Sequence, residues 1–259
     1  LLKNTKMETM AHLGTDAFDE IGGEVVNTTM YTLRKHEKDS KDSSFLRLVD
    51  YGYDDKLPEL QQGIVKEKNQ YQASQDSFKA IPGSSFVYWI SDKLRETFAE
   101  EEPLGEVADV RQGCATGDNA KCLRLWLEVN PETISKDFAA DKKKWVPYAK
   151  GGPYNKWYGN LWWIVDYSEE GYTYLKNHGN HLPSESYYFK EGINFSQTTA
   201  SAMNARFTPE NHIFDVVSSS VFPNEGSLEY YLGFLNSSLF GFLVSVINTT
   251  VHYQVSDVK

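Results

Sequence analysis

The sequence predicts a mixed α+β fold in more than one unit, on three observations. Strand-like and helix-like segments alternate along 259 residues with no internal repeat. The chain is 40% apolar and 14% aromatic, enough to build sizeable cores. Near Pro103 its texture changes from charged helical segments to short strands, glycine loops and dense aromatics. The expected divisions are 1–52, a helical connector at 53–103, and 104–259.

Thr5 to Leu13 reads as a short helix stopped by Gly14. Glu24 to Arg34 and Ser44 to Asp50 are rich in β-formers and flank the charged stretch Lys38 to Asp42, which predicts a hairpin with a solvated loop. Lys56 to Glu67 is expected as a helix, Asn69 to Gln75 as a connector or exposed strand, and Pro82-Gly83 as a turn. Ser91-Asp92 can cap a helix through Leu94 and Phe98 that closes at Glu101-Glu102-Pro103. Further on, Gly151-Gly152-Pro153 and Gly159 mark loops, Leu161 to Asp166 a buried strand, and Leu228 to Ile247 a long apolar helix.

Several function classes fall away. The most apolar run, Tyr231 to Ile247, is interrupted by Asn236-Ser237-Ser238 and is shorter than the roughly 18 residues of a membrane span, so no membrane partner is expected. Cys114 and Cys122 lack the further ligands of a zinc tetrad and read as reduced cysteines of a cytosolic protein, so a cytoplasmic location is expected. With no secretory signal, the sequons at Asn27, Asn194, Asn236 and Asn248 carry no glycosylation reading. The serine run Ser218-Ser219-Ser220 lacks a nucleophile elbow, the acidic clusters Glu100-Glu101-Glu102 and Glu169-Glu170 look solvated, and no phosphate-binding glycine turn is present. The formal charge of −10 argues against a DNA-wrapping protein. Yet Arg111 to Trp163 holds nine Lys/Arg against five Asp/Glu, about +4 within a chain that is otherwise near −14.

Four stretches carry candidate contacts. Asp109 to Asn119 sets Arg111, Gln112, Thr116 and Asn119 beside Gly113 and Gly117, side chains able to read base edges or hold phosphates on a tight turn. Trp145 to Asn160 interleaves Lys150 and Lys156 with Trp157 and Tyr158, cations and rings that suit phosphates and stacked bases. Tyr188 to Ser196, with Ala205-Arg206-Phe207 after it, repeats the basic-beside-aromatic pairing, offering Lys190 as a contact, and Ser218 and Ser219 offer neutral hydroxyls. Each has a plain structural alternative: a polar turn, a core or sugar-binding cluster of rings, a half-buried strand pair.

In this order, Ala17 to Val26, Val110-Arg111-Gln112-Gly113-Cys114-Ala115-Thr116-Gly117-Asp118-Asn119, Trp145 to Asn160 and Phe189-Lys190-Glu191-Gly192-Ile193-Asn194-Phe195-Ser196 resemble the C-terminal part of the large bacterial adenine-specific DNA methyltransferases of the phage-defence (BREX, PglX-type) and type IIG restriction–modification kind. Gly233 to Ser237 and Asn248 to Gln254 resemble that family's late helix and following strand. The resemblance implies that 1–52 is the C-terminal edge of a Rossmann-like catalytic domain, ending in an antiparallel strand pair. It implies that 104–259 is a mixed α/β target-recognition domain gripping double-stranded DNA, with an adenine flipped toward a catalytic domain that lies outside this chain. S-adenosylmethionine would serve the parent enzyme. The family's Asn/Asp-Pro-Pro-aromatic motif and its cofactor turn are absent here, so no catalytic residue, bound cofactor or metal is expected in this chain, which reads as a trimmed piece inactive alone. A clear S-adenosylmethionine signal in calorimetry of the chain would overturn that expectation. The alternative is a carbohydrate- or protein-binding module using the aromatic surface.

Overall fold

The computed structural model describes residues 4–20, 26–35, 42–81, 83, 85–198, 203–248 and 252–259. They form two compact units, Leu1–Glu101 and Glu102–Lys259. Helices and short strands are mixed in both, as the predicted α+β class requires.

The first unit is built on a four-stranded sheet in the order β2-β1-β3-β4, with β1 Lys6–Gly14, β2 Thr28–Arg34, β3 Ser43–Arg47 and β4 Gln70–Ala73. Its first strand corrects the helix expected at Thr5 to Leu13. Met, Ala and Leu favour a helix locally, but both edges of this segment find backbone partners: β2 antiparallel from Lys6↔Arg34 to Gly14↔Thr28, and β3 parallel from Thr9↔Ser44 to His12↔Arg47. Because β1 lies between them, β2 and β3 do not form the expected hairpin with each other. Glu24, Val25, most of the charged stretch at Lys38 to Asp42, and Pro82 lie outside the described residues.

Helix α1, Tyr53–Lys66, packs through Gly63, where an added Cβ would meet Leu46 Cδ1 at 2.5 Å, and through buried Lys56, which donates to the Leu48 carbonyl at 3.1 Å and to that of Tyr51. The segment expected as a helical connector therefore supplies both α1 and strand β4. Phe45 stacks on Tyr88 at 4.5 Å and meets Phe78 edge-on at 5.6 Å, forming the core. Ser91 caps α2, Asp92–Glu100, as predicted, its hydroxyl accepting from Leu94 N at 3.3 Å.

The second unit holds two four-stranded sheets. One runs β10-β9-β12-β5, with β5 Ala108–Arg111, β9 Gly192–Phe195, β10 Ala205–Thr208 and β12 Ser220–Pro223. The other runs β11-β7-β8-β6, with β6 Leu123–Leu125, β7 Trp145–Ala149, β8 Trp163–Asp166 and β11 Ile213–Phe214. Short helices α3 Leu104–Val107, α4 Asn119–Cys122 and α5 Phe138–Asp141 link strands, and α6, Glu169–His178, joins the core of the second sheet through Leu175.

The expected long C-terminal helix is two helices, α7 Leu228–Leu235 and α8 Ser238–Ile247, bent by 62°. Asn236 causes the break. Its buried amide accepts from Ala205 N at 3.0 Å and donates to Ala205 O at 2.9 Å, pairing with β10 as a strand would, and Ser237 caps α8. Among the described residues no single helix is long and apolar enough to cross a membrane. The last helix, α9 Val255–Val258, buries Val258 in the same core as Phe240 and Val244 of α8; of the late strand expected at Asn248 to Gln254, positions 249–251 lie outside the described residues.

Candidate nucleic-acid interface

The segment between β7 and β8 carries four exposed aromatic rings. Residues 150–162 contain two lysines and no carboxylate. Tyr154, Trp157, Tyr158 and Trp162 are all exposed, and Trp126, also exposed, donates its N–H to the Trp162 carbonyl at 3.0 Å. Rings of this size are usually turned inward, so a surface series of five makes this face a candidate for contact.

The loop's polar groups face inward and hold it. Asn160 is buried, donating to the Pro153 carbonyl at 3.0 Å and accepting from Asn155 Nδ2 at 2.9 Å. Lys156 Nζ donates at 2.8 Å to the Asn236 carbonyl at the α7/α8 break. Trp157 sits in the left-handed region at φ 74, held by bonds to β10 on both sides: its N–H to Ala205 O and its carbonyl from Phe207 N, each 2.9 Å.

Beneath the loop lies a side chain that the sequence marks only as a cation beside an aromatic, Arg206. Arg206 of β10 is 1% exposed, and among the described residues its guanidinium bonds only to neutral acceptors. These are the Asn155 carbonyl (3.3 Å), Asn194 Oδ1 (2.9 Å), Ser196 Oγ (3.0 Å) and Asn204 Oδ1. Burial pulls its pKa down to about 10. Ala205-Arg206-Phe207 shows a basic residue beside an aromatic, but nothing local says that the cation points inward.

The predicted contacts divide by environment. Gln112, Asn119, Trp157, Tyr158 and Lys190 are exposed. Arg111 and Lys190, far apart in sequence, share the Tyr187 ring, at 4.8 and 4.9 Å from its centroid. Arg111 also pairs with Asp109, whose carboxyl is held below its ordinary pKa chiefly by the Tyr187 hydroxyl at 2.8 Å and also by Arg111. Lys150 Nζ is bound at 2.8 Å to the buried Asp215 carboxylate. Asp215 also lies 3.1 Å from the buried Tyr148 hydroxyl, whose pKa burial raises well above its ordinary value.

Three expected contacts are corrected: Thr116, Ser218 and Ser219 are buried. Thr116 Oγ1 donates to Asn119 Oδ1 at 2.6 Å, Ser218 Oγ donates to Asn194 Oδ1, and the Ser219 carbonyl accepts from Phe195 N at 2.9 Å. Their hydroxyl-rich segments close the core beneath the loops, where polar groups must be satisfied internally.

The glycines of the 109–119 loop serve different ends. Gly117 takes a left-handed turn at φ 72, whereas Gly113 allows close approach, since a Cβ there would lie 2.0 Å from the Phe214 carbonyl oxygen. Gly113→Ala is expected to lower stability by about 2 kcal/mol through overpacking, measured by denaturant unfolding; an unchanged midpoint would contradict the close packing. Cys114 and Cys122 are free and buried, and burial pushes the Cys114 thiol up to about 12, which leaves it unreactive at neutral pH. Among the described residues no group of three or more His, Cys, Asp or Glu is placed to hold a metal ion.

No protein-family model matches the chain. Over 265 residues, 96% of the chain, it is 33% identical to the adenine-specific methyltransferase PglX of Lacticaseibacillus casei (strain Zhang), covering 22% of that protein. Over 262 residues, 100% of the chain, it is 33% identical to the adenine-specific methyltransferase BrxX of Escherichia coli O9:H4 (strain HS), covering 21% of it. The chain thus spans about a fifth of the length of the curated relatives it matches.

Proposed function

From the premise that this chain is a relative, along nearly its whole length, of the PglX- and BrxX-type adenine-specific methyltransferases, we propose that its second unit is a target-recognition portion that binds double-stranded DNA for N6-adenine methylation. The observation that carries the reading is the carboxylate-free, ring-bearing loop at 150–162 in an otherwise acidic chain. Phosphates favour a surface patch that lacks negative charge, and bases favour exposed rings. Gln112, Asn119, Trp157, Tyr158 and Lys190 are the contacts, with Arg111 beside them on Tyr187.

In the same reading, 1–52 closes the edge of the catalytic domain, 53–103 connects and 104–259 recognises DNA. The rest of a longer polypeptide, bacterial and cytoplasmic, would supply S-adenosylmethionine binding and methyl transfer. Among the described residues of the first unit, the strand-to-helix turn from β3 to α1, Leu48 to Gly52, does not fit that cofactor: it has one glycine, and the Leu48 and Tyr51 carbonyls are engaged by Lys56. It does offer a surface for a further domain. Met30, Tyr31 and Ile64 are exposed along a groove between the sheet and α1 that Met10 and Leu60 also line.

Fluorescence anisotropy of a labelled duplex at two salt concentrations tests the DNA reading. Binding is expected to weaken steeply with salt, and Lys190→Ala to reduce the slope of log K against log[salt] by about 0.9, the share of one phosphate contact. Absence of duplex binding at low salt, or affinity indifferent to salt, would refute the reading in favour of a carbohydrate- or protein-binding surface.

A further inference from the structure

We propose that Trp157 and Tyr158 form a rigid wedge that enters a base step of the duplex, with Arg206 as the residue that positions it. The proposal rests on the duplex-binding reading above and adds how the rings are used. Trp157 is 53% and Tyr158 63% exposed, side by side at a loop turn, while the backbone that carries them is held as firmly as a sheet edge. Left-handed conformations at Trp157 (φ 74), Gly159 (φ 139) and Asn160 (φ 59) set the turn. A bulky residue persists at positive φ only where its surroundings over-determine it, and such strain gathers at working surfaces.

Those surroundings are all internal. β10 pairs with Trp157 on both its N–H and its carbonyl, Lys156 reaches the α7/α8 break, Asn160 closes on Pro153 and Asn155, and the buried guanidinium of Arg206 holds the Asn155 carbonyl while anchored to Asn194, Ser196 and Asn204. A preformed loop of this kind loses little conformational freedom on insertion.

The same bonds indicate the partner. A sugar site needs polar side chains beside its rings to hold hydroxyls, but here the Asn155 and Asn160 amides and the Lys156 ammonium are bonded inward. What remains outside is ring surface, polar only at the tyrosine hydroxyls and tryptophan N–H groups and without carboxylates. That suits sequence-tolerant stacking on, or wedging between, the bases of a polyanion.

The test compares the affinity of the 259-residue chain for a fully paired duplex and for the same duplex carrying a central mismatched step, where unstacking has already occurred. The wild type is expected to prefer the mismatched duplex by about tenfold. Trp157→Ala with Tyr158→Ala should bind both duplexes equally with an unchanged salt slope, and Trp157→Phe with Tyr158→Phe should restore the preference. Wild-type binding that is salt-dependent but blind to the mismatch would overturn the wedge alone, as would a preference surviving the double alanine change. Absence of duplex binding would remove the wedge together with the DNA reading.

Discussion

Replacing Arg206 by Met is expected to lower the unfolding free energy by about 3 kcal/mol, since it strips a hydrogen-bond donor from several buried acceptors at once. Methionine matches much of the aliphatic volume, so the loss reports the polar network rather than a cavity. Asn194 is the central acceptor, taking bonds from both Arg206 and Ser218 on one oxygen while its amide nitrogen donates to the Ser218 carbonyl at 2.6 Å. With the guanidinium gone, the Asn155 carbonyl also loses a link to β10, so the Trp157 loop loosens with the core beneath it. Denaturant unfolding measures the stability, and the emission maximum of the loop tryptophan, isolated by comparison with Trp157→Phe, reports the loop. An Arg206→Met chain as stable as the wild type would mean that burying the cation costs about as much as its bonds return.

The second large effect is expected at Asp215. Asp215→Ala removes the counter-charge from Lys150, whose side chain is only 20% exposed, and an acceptor near the buried Tyr148 hydroxyl. Breaking one side of such a pair costs about 3–5 kcal/mol, because the surviving charge stays out of water. Lys150→Ala is the informative companion. If Lys150 is held for the fold, the change lowers thermal stability while duplex affinity stays within about twofold, and Lys190→Ala does the reverse, since an exposed lysine without a carboxylate partner among the described residues carries mainly phosphate affinity. A strong loss of DNA affinity with unchanged stability on Lys150→Ala would return that lysine to the interface.

Local signals in the sequence proved informative wherever the physics is local. Ser91 caps its helix because a hydroxyl three residues ahead of a backbone N–H needs no distant partner. The buried strand expected at Leu161 to Asp166 is β8, a short apolar run bounded by loop residues. The 145–160 segment could be marked as a contact candidate from its composition, and its two central rings are exposed. The relationship to adenine-specific methyltransferases was legible as well, because it rests on residue order along most of the chain.

Other features depended on partners far along the chain. β1 is a strand because β2 and β3 bond both its edges, which outweighs the helical preference of its own residues. The apolar run at 228–247 breaks because Asn236 finds the backbone of Ala205, 31 positions away. The same holds for the candidate site. Lys150 is 65 positions from Asp215 and Lys156 is 80 from the Asn236 carbonyl, so sequence alone identifies each as a cation without showing that both are engaged. The sequence by itself therefore determined the mixed α+β class, the local caps and the similarity to adenine-specific methyltransferases. Only the tertiary structure decided which polar groups are buried, which cations are held inward and which rings remain outside, because burial and pairing are set by neighbours that the order of residues does not place side by side.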